Sequence, residues 1–497
     1  MVVDGAFGQD EQVDVVVVGG GNAGYSAAHA ASARGRRVLL LEKGGPEEAG
    51  GNSFYTAGAF RIAHAGLDDV VDMVDDDERL ERSTLPPYAP EAYVADMVKV
   101  TSGRNDPDLT AVLVEDSQAA LRWLHDLGVR FRLMYERQAY VEESTGHYTF
   151  WGGLAVGSTG GGKGLMAAHT EIAAREGVEV RHGCRGTDLL VEDGRVVGVA
   201  YEQAGGRRAA VRADSVVLAA GGFEADPAMR REHLGEGWEL AKVRGTPLNT
   251  GDMLRAALAA GAAPHGDWGT CHSVAWDAGF ADNESNRVLT NQLTRGGYPL
   301  GIVVNAEGRR FLDEGADFRN YTYARYGAQI LAQPGGVAHQ VYDSVTRPML
   351  RSEEYDMPGA SVVVADTLEE LAEGMGVDAA DLRTTVEEFN ASIAVEAAFE
   401  PSVKDGRAAR VEPPKSNWAQ ALEAPPFYAF PVTCGITFTF GGLRADVEGR
   451  VLDAQGAPVP GLLVCGEMLG GLFSGNYPGG TGLTSGTVFG RRAGSVA

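Results

Sequence analysis

The first forty residues alternate between apolar runs and a segment of small residues, which is the pattern of a strand–helix–strand unit. Val15–Val18 is a short β-branched run, and Val38–Leu41 is a second apolar run. Between them, Ala23–Ala33 is rich in alanine and other small residues that favour a helix. Two such strands joined by a helix predict a parallel pair with a right-handed crossover.

The same kind of alternation continues through the first half of the chain. The apolar spacing predicts helices over Glu91–Thr101, Leu109–Leu127 and Lys163–Glu176. It predicts strands over Val178–Arg181, Leu189–Glu192, Val196–Tyr201 and Val216–Ala219, with a hairpin turn at Asp193-Gly194. The sequence therefore indicates the α/β fold class.

The composition is that of a large globular protein with an acidic surface. The chain has 497 residues, enough for two to three domains of about 150 residues each. Its formal net charge of −25 at pH 7 disfavours nucleic acid or anionic lipid as a partner. The sequence has no HExxH motif, and the four cysteines show no CxxC spacing, so we expect neither a metal site nor a disulfide scaffold.

The N-terminus gives no sign of export or membrane insertion. Met1–Gln12 is acidic and lacks the basic segment of a secretory signal peptide. The apolar run that follows it is too short for a signal sequence or a membrane span. We therefore expect a cytoplasmic protein that is not an integral membrane protein.

A glycine fingerprint directly follows the first predicted strand. Gly19, Gly21 and Gly24 form GxGxxG, with a strand before and a helix after. The first glycine permits a tight turn, the second lets the backbone approach a pyrophosphate, and the third allows close packing of helix on strand. Glu42 ends the second strand 18 residues beyond Gly24, where a carboxylate can accept hydrogen bonds from ribose hydroxyls. These residues predict a dinucleotide site.

A second glycine cluster imitates a phosphate-binding loop. Residues 157–163 nearly spell a P-loop, but Gly164 stands where a serine or threonine must hold magnesium. We therefore exclude ATP hydrolysis and expect a tight loop that opens the next helix.

Several later segments resemble one family of flavoproteins. They are Gly50-Gly51-Asn52-Ser53 with Thr56-Ala57-Gly58, Ala219-Ala220-Gly221-Gly222-Phe223, Val464-Cys465-Gly466-Glu467, and Thr481-Gly482-Leu483-Thr484-Ser485. They resemble the fumarate reductase and succinate dehydrogenase flavoproteins, a family that also holds 3-ketosteroid dehydrogenases. The resemblance implies that the dinucleotide is FAD, and that a helix beginning near Thr481 faces the flavin pyrimidine. Such a helix N-terminus would stabilise the anionic edge of reduced flavin.

The resemblance also implies the architecture and the cofactor-binding residues. It implies a Rossmann-like FAD-binding domain in two parts, 1–263 and 426–497, with an inserted α+β capping domain over 264–425. Movement of such a cap would exclude water during hydride transfer. The expected cofactor-binding residues are Gly19, Gly21, Asn22, Ala23, Gly24, Glu42, Lys43, Gly51, Asn52, Ser53, Thr56, Ala57, Gly58, Cys184, Ala220, Gly221, Gly466, Glu467, Gly482, Leu483 and Thr484.

Three departures from the family pattern bear on function. Asn52 stands where membrane-complex members tether FAD through a histidine, so we expect non-covalent FAD. Phe438 and Tyr477 replace a histidine and an arginine that anchor the substrate carboxylate in fumarate reductases. The Tyr477-Pro478-Gly479 sequence instead resembles ketosteroid dehydrogenases, in which that tyrosine donates to a carbonyl oxygen.

The resemblance implies α,β-dehydrogenation, in which a base removes a proton beside a carbonyl and hydride passes to flavin N5. The candidate catalytic residues are His272 for substrate binding, Arg295 or Tyr298 for proton transfer, Arg319 for a carboxylate, and Tyr477. His272 also fits a purely structural role, and Arg319 fits an ordinary ion pair equally well.

The sequence leaves several substrates open. Segments 50–61, 315–327, 435–446 and 475–494 resemble family members that dehydrogenate tricarballylate, so a tricarballylate-like carboxylate is the leading expectation. The alternatives are a 3-ketosteroid-type dehydrogenase of an enolisable ketone, a fumarate-type reductase running in reverse, and a flavin-binding electron carrier without its own substrate. Since the chain has no iron–sulfur or haem motif, any quinone-linked or iron–sulfur partner would be external.

Overall fold

The structure is a computed structural model that describes residues 11–142, 144–394 and 396–497. The first ten residues, which carry most of the prediction about the N-terminus, lie outside this range.

The elements are numbered here in chain order. The strands are β1 (Glu11–Val18), β2 (Val38–Leu41), β3 (Ala59–Phe60), β4 (Ser83–Thr84), β5 (Phe131–Leu133), β6 (Ala139–Glu142), β7 (His147–Phe150), β8 (Val156–Ser158), β9 (Glu179–Arg181), β10 (Cys184–Glu192), β11 (Arg195–Gln203), β12 (Arg208–Leu218), β13 (Lys242–Val243), β14 (Pro264–Asp277), β15 (Ile302–Asn305), β16 (Val337–Tyr342), β17 (Val363–Ala365), β18 (Phe427–Leu443), β19 (Arg450–Leu452) and β20 (Pro458–Val464). The helices are α1 (Asn22–Ser32), α2 (Gly51–Tyr55), α3 (Pro90–Thr101), α4 (Pro107–Leu127), α5 (Tyr135–Gln138), α6 (Gly161–Glu176), α7 (Pro227–Leu234), α8 (Asp252–Ala259), α9 (Tyr323–Leu331), α10 (Ser352–Tyr355), α11 (Leu368–Met375), α12 (Ala379–Ala391) and α13 (Thr481–Val496).

The predicted elements agree closely with the observed ones. The four predicted helices correspond to α1, α3, α4 and α6, and the two apolar runs correspond to β1 and β2. The predicted hairpin joins β10 to β11, where Asp193 and Gly194 both have positive φ, as this two-residue turn requires. The last predicted strand is longer than expected: β12 begins at Arg208 because its first half pairs antiparallel with β11.

The chain divides into two compact units. The larger unit contains the described residues up to Leu234, together with Thr246–Thr270 and Phe438–Ala497. Its main sheet has the order β10-β11-β12-β1-β2-β9, and β20 also pairs with β12. β1 runs parallel to both β2 and β12, so the predicted strand–helix–strand unit lies at the centre of this sheet. The α/β prediction is confirmed.

Helix α13 packs directly on α1 within the larger unit. A Cβ built on Gly490 would lie 2.5 Å from the Ala23 carbonyl oxygen, and one on Gly494 would lie 2.1 Å from that of Ala27. The two helix backbones therefore approach each other without intervening side chains. This contact joins the glycine fingerprint near the N-terminus to the last helix of the chain.

The smaller unit comprises Gly235–Gly245 and Cys271–Thr437. Its sheet has the order β13-β18-β16-β15, and β14 and β17 also pair with β18. Helices α11 and α12 contribute Leu371, Leu382 and Phe389 to a buried core that also contains Val304 and Val341 of the sheet. The predicted domain boundaries, after 263 and after 425, lie at or just before the start of β14 and β18 and stay predictions.

None of the helices in the described part of the chain combines the length and apolar composition needed to cross a lipid bilayer.

Candidate active site

The glycine fingerprint forms the turn between β1 and α1. Gly19 has φ of +110°, in the left-handed region that favours glycine, and a Cβ on Gly24 would lie 1.9 Å from the Gly19 carbonyl oxygen. At Gly21, by contrast, the nearest atom to such a Cβ is Ser53 Oγ at 3.5 Å. Two of the glycines are therefore required by packing, whereas Gly21 at the N-terminus of α1 has room for a methyl group at ordinary contact distance. A helix N-terminus approached this closely through glycine is where a pyrophosphate would bind.

Glu42 lies beside this turn at the end of β2. Its carboxylate accepts hydrogen bonds from the backbone N–H of Gly20 and of Gly44, both at 2.7 Å. Burial raises the pKa of Glu42, and the two backbone hydrogen bonds oppose that shift. The carboxylate is thus fixed in place, and each oxygen keeps a lone pair that can accept a ribose hydroxyl.

Lys43 and Cys184, two predicted cofactor-binding residues next to Glu42, form hydrogen bonds with other parts of the protein. The Lys43 ammonium donates to the Leu248 carbonyl oxygen at 2.8 Å, Thr250 Oγ1 at 2.7 Å and Asp252 Oδ2 at 2.9 Å. These contacts use the three N–H groups of the ammonium. The Cys184 N–H donates to the Glu42 carbonyl oxygen at 2.8 Å, so this residue supports the Glu42 backbone. Direct contact of either residue with the cofactor stays a prediction.

The second glycine cluster, at the start of α6, packs closely against α2. A Cβ on Gly162 would lie 2.1 Å from the Ser53 carbonyl oxygen, and the Gly162 N–H donates to the Thr56 carbonyl oxygen at 3.0 Å. Ser53 Oγ in turn accepts from the Asn22 N–H at 3.0 Å. The glycines that imitate a P-loop therefore bring α6 against the predicted flavin loop, and this loop contacts the glycine fingerprint through Asn22.

Two carboxyl groups lie close together after β12 and β20: Glu224 is buried and Glu467 is half-buried. Glu224 accepts from the side-chain amides of Asn52 at 2.6 Å and Asn249 at 2.7 Å. Glu467 accepts from the Thr439 N–H at 2.8 Å. A Cβ on Gly222 would lie 2.1 Å from Glu467 Oε1 and 2.9 Å from Glu224 Oε2, so the two carboxyl groups share one space.

These two carboxyl groups differ from ordinary glutamates in their titration. Burial raises the pKa of Glu224, and burial followed by the charge of Glu224 raises the pKa of Glu467 well above its usual range. Because a proton between the two would relieve their repulsion, we expect them to titrate as a pair. Sequence reasoning missed Glu224, although it directly follows the flavin-type segment that ends at Phe223.

Tyr477 lies in a cluster of aromatic rings at the start of α13. The cluster consists of Phe438, Phe440, Phe473 and Tyr477, with neighbouring ring centroids 5.1 to 5.9 Å apart. A Cβ on Gly482, in the first turn of α13, would be 3.9 Å from the Tyr477 ring. The two positions where fumarate reductases have a histidine and an arginine thus hold touching aromatic rings. Their contacts are edge-to-face or tilted, which aromatic side chains prefer.

Arg61 supports the loop that carries Tyr477, and the sequence did not single it out. Its side chain is fully buried, donates to the Gly479 carbonyl oxygen at 2.9 Å, and pairs with Asp96 at 3.2 Å. Thr484 Oγ1 donates to the Arg61 carbonyl oxygen at 2.8 Å. Arg61 therefore connects the Tyr477 loop to α3 and to the first turn of α13.

The remaining catalytic candidates lie in the smaller unit, and Arg295, Tyr298 and His272 among them are buried. The Arg295 guanidinium pairs with the buried Asp277 carboxylate and donates to the Glu354 carbonyl oxygen. The Tyr298 hydroxyl bonds to Thr322 Oγ1 at 2.7 Å, and burial raises the pKa of Tyr298 well above its usual range. Arg295 thus already has a carboxylate partner, and the Tyr298 hydroxyl is protonated at neutral pH. Proton transfer by either residue stays a prediction.

His272 and Arg319 also have specific surroundings. His272 is fully buried with its ring against Tyr323, and burial followed by the charge of Arg244 lowers the pKa of His272 well below its usual range. Arg319 lies 3.4 Å from the Glu354 carboxylate. Arg244, which no sequence motif marks, donates to Thr437 Oγ1 at 2.8 Å. His272 is therefore neutral, and Arg319 has an ion-pair partner within its own unit.

Comparison with known proteins gives the family. Residues 14–483 match the family described as FAD binding domain. A probable fumarate reductase of Shewanella frigidimarina (strain NCIMB 400) is 29% identical over 99% of this chain and 76% of its own. The 4-oxocyclohexanecarboxylate 2-dehydrogenase of Sinomonas cyclohexanicum is also 29% identical, over 94% of this chain and 89% of its own. The 3-ketosteroid-Δ4-(5α)-dehydrogenase of Rhodococcus jostii RHA1 has a TM-score of 0.71 at 25% identity, covering 99% of this chain and 97% of that chain.

These similarities confirm the predicted family, the cofactor FAD and the class of FAD-dependent oxidoreductase. The glycine turn, the helix N-terminus at Gly21 and the fixed Glu42 carboxylate fit such a cofactor. Because the match spans nearly the whole chain, the protein belongs to the FAD-binding flavoprotein family that includes fumarate reductases and ketosteroid dehydrogenases.

Proposed function

We propose that the protein dehydrogenates, or in reverse hydrogenates, the carbon–carbon bond beside the carbonyl of an enolisable cyclic ketone. The aromatic cluster of Phe438, Phe440, Phe473 and Tyr477 is the observation that carries this proposal. Touching rings provide an apolar surface with one hydroxyl, which suits a ring-shaped substrate with one carbonyl oxygen. The similarity to a 4-oxocyclohexanecarboxylate dehydrogenase and to a ketosteroid dehydrogenase supports the same choice.

In this proposal the bound FAD supplies the hydride acceptor or donor. Tyr477 donates its hydroxyl hydrogen to the carbonyl oxygen, where negative charge develops when the adjacent C–H loses its proton. Proton transfer by His272 or Tyr298 of the smaller unit is a separate part of the proposal: burial keeps His272 in the form that accepts a proton and Tyr298 in the form that donates one. The same groups serve both directions of the reaction.

A polycarboxylate such as tricarballylate was the leading expectation from the sequence, and it receives less support. Its carboxylates would need cationic side chains, but Arg295 pairs with Asp277 and Arg319 with Glu354. A substrate carboxylate would have to compete with these internal partners. The relatives described above do not support tricarballylate itself.

We also propose that FAD is held without a covalent bond and that electrons pass to an external quinone or iron–sulfur partner. Asn52, at the position of the tethering histidine, uses its amide to contact Glu224 and the Thr246 N–H. An amide has no nucleophilic ring nitrogen with which to bond the flavin. Acid precipitation should therefore release all flavin into the supernatant, and flavin retained in the pellet would contradict the proposal.

The substrate class is tested by anaerobic bleaching of the flavin. The FAD-loaded protein is mixed separately with 4-oxocyclohexanecarboxylate, with a saturated 3-ketosteroid and with tricarballylate. We expect one or both ketones to bleach the flavin absorbance and tricarballylate to leave it unchanged. Bleaching by tricarballylate alone would overturn the ketone proposal in favour of the carboxylate. Bleaching by none of the three would remove the support for all these substrates.

A further inference from the structure

A hydrogen-bonded chain of side chains runs inward from Glu176 to the glycine fingerprint of the larger unit. Glu176 Oε2 lies 2.7 Å from His29 Nδ1, and His29 Nε2 lies 3.2 Å from His169 Nδ1. His169 Nε2 lies 2.9 Å from Asn22 Oδ1. Both imidazoles and Asn22 are buried, whereas the Glu176 side chain is 18% exposed. This series of hydrogen bonds thus connects the protein surface to Asn22, the first residue of α1.

The inner end of the chain has a defined orientation. Asn22 Nδ2 is 2.9 Å from the Leu483 carbonyl oxygen and 3.0 Å from Thr487 Oγ1, both on α13. The carbonyl oxygen can only accept a hydrogen bond, so the atom that faces it must be the amide nitrogen of Asn22. Asn22 Oδ1 therefore points to His169 and can only accept. It follows that His169 carries a hydrogen on Nε2.

The number of protons in the chain follows from this orientation. Burial, and then the charge of His29, lowers the pKa of His169 well below its usual range, so His169 is neutral and its Nδ1 is an acceptor. His29 Nε2 must then donate to His169. At the outer end, His29 Nδ1 and Glu176 Oε2 are 2.7 Å apart and would both be acceptors without a proton between them, so we infer a proton there. The hydrogen-bonded chain from Glu176 to Asn22 therefore contains one extra proton. Two neutral imidazoles and an ionised carboxylate would not supply it.

The groups around the chain are compatible with that extra proton. Tyr25 stacks on both imidazoles, with ring centroids 5.4 Å from His169 and 6.0 Å from His29. Burial raises the pKa of Tyr25, so it adds no charge. The negative charge of Glu42 also raises the pKa of Tyr25. Glu176 is the last residue of α6, where the helix dipole disfavours a lone carboxylate, and a hydrogen bond from His29 offsets this effect.

We propose that Glu176, His29 and His169 are positioning residues whose one shared proton holds the Asn22 amide against α13, and thereby maintains the FAD site. This inference rests on membership of the FAD-binding family and not on the substrate proposed above. If the shared proton is lost, two acceptor atoms face each other at one of the contacts between Glu176 and Asn22. The hydrogen bond at that contact is then broken. Asn22 then loses its fixed orientation toward Leu483 and Thr487, and FAD is held less tightly.

The test compares FAD dissociation constants, measured from flavin fluorescence on dilution of the holoprotein, between pH 6 and pH 10. We expect wild-type affinity to fall about fivefold to tenfold as the chain loses its proton, the equivalent of about one hydrogen bond. His169→Gln places an amide nitrogen where Nε2 stood and donates to Asn22 without a shared proton, so its affinity should lose this pH dependence. His169→Leu removes the donor and should bind FAD weakly at every pH. Glu176→Gln should move the loss of affinity to lower pH, because an amide holds the shared proton less well than a carboxylate.

Two further measurements separate this role from a merely structural one. Glu171→Gln removes an exposed charge from the same helix, and it should leave the pH profile of wild type unchanged. Nitrogen-15 spectra of the imidazoles at pH 7 should show His169 protonated on Nε2 alone and His29 protonated on Nε2. His169 protonated on Nδ1 alone, or equal pH profiles for wild type and His169→Gln, would overturn the proposal whatever the substrate is.

Discussion

At the scale of single residues, the Glu224–Glu467 pair has the clearest energetic consequence. Burial raises the pKa of both carboxyl groups, so the folded protein keeps a proton that the unfolded chain has released at neutral pH. The stabilisation is complete below the unfolded pKa of about 4.3 and is lost as pH rises through the raised pKa of the folded state.

Glu224→Gln should therefore reduce the loss of stability at rising pH. The glutamine oxygen can still accept from Asn52 and Asn249, while its amide nitrogen donates to Glu467 without a shared proton. Denaturant unfolding of FAD-free protein at pH 5 and pH 8 measures the effect. We expect the variant to gain about 1 kcal/mol on wild type between these pH values. Glu115→Gln, an exposed control, should show the wild-type slope, and an equal slope for Glu224→Gln would contradict the shared proton.

At the scale of elements, the β1–α1 turn contains glycines that are needed for folding and one glycine that we expect to be needed for FAD binding. Gly24→Ala forces a Cβ against the Gly19 carbonyl oxygen and should destabilise the protein by about 3 kcal/mol. Gly21→Ala meets only ordinary contacts and should fold normally, but its methyl group enters the space assigned to the pyrophosphate. We expect a loss of FAD affinity of at least about tenfold. Thermal unfolding and FAD titration measure the two effects, and unchanged affinity in Gly21→Ala would contradict the assigned space.

The sequence predicted local structure well and long-range contacts poorly. Helix α1 agrees with its prediction to within one residue at each end, because its pattern and its glycine turn lie within one short stretch of chain. His169 could not be linked to Asn22, since the two are 147 positions apart and meet through the packing of α6 on α1. The family resemblance proposed Arg295 for proton transfer, and its partner Asp277 becomes evident only in the folded unit.

At the scale of the whole molecule, the charge of −25 surrounds a site for an anionic cofactor. The net field should slow the approach of the FAD pyrophosphate at low ionic strength, and salt screens this repulsion. Stopped-flow mixing of FAD with FAD-free protein should therefore give an association rate constant that rises at least about twofold from 0.01 M to 0.15 M NaCl. A rate that falls with salt would show that local cationic groups outweigh the net charge.

The proposal as a whole links a flavin site in the larger unit to a carbonyl oxygen that Tyr477 polarises. Tyr477→Phe keeps the ring in its aromatic cluster and removes only the hydroxyl. Tyr93→Phe is a matched control, because it removes a buried hydroxyl that bonds to Thr481 at the start of the same helix.

The most direct test is the rate of anaerobic flavin bleaching by 4-oxocyclohexanecarboxylate in wild type and these two variants. We predict that Tyr477→Phe slows bleaching about 100-fold, the usual effect of losing one donor to a developing oxyanion, whereas Tyr93→Phe reacts at the wild-type rate. Equal rates in wild type and Tyr477→Phe, or no bleaching of wild type by this ketone or by a 3-ketosteroid, would contradict the account.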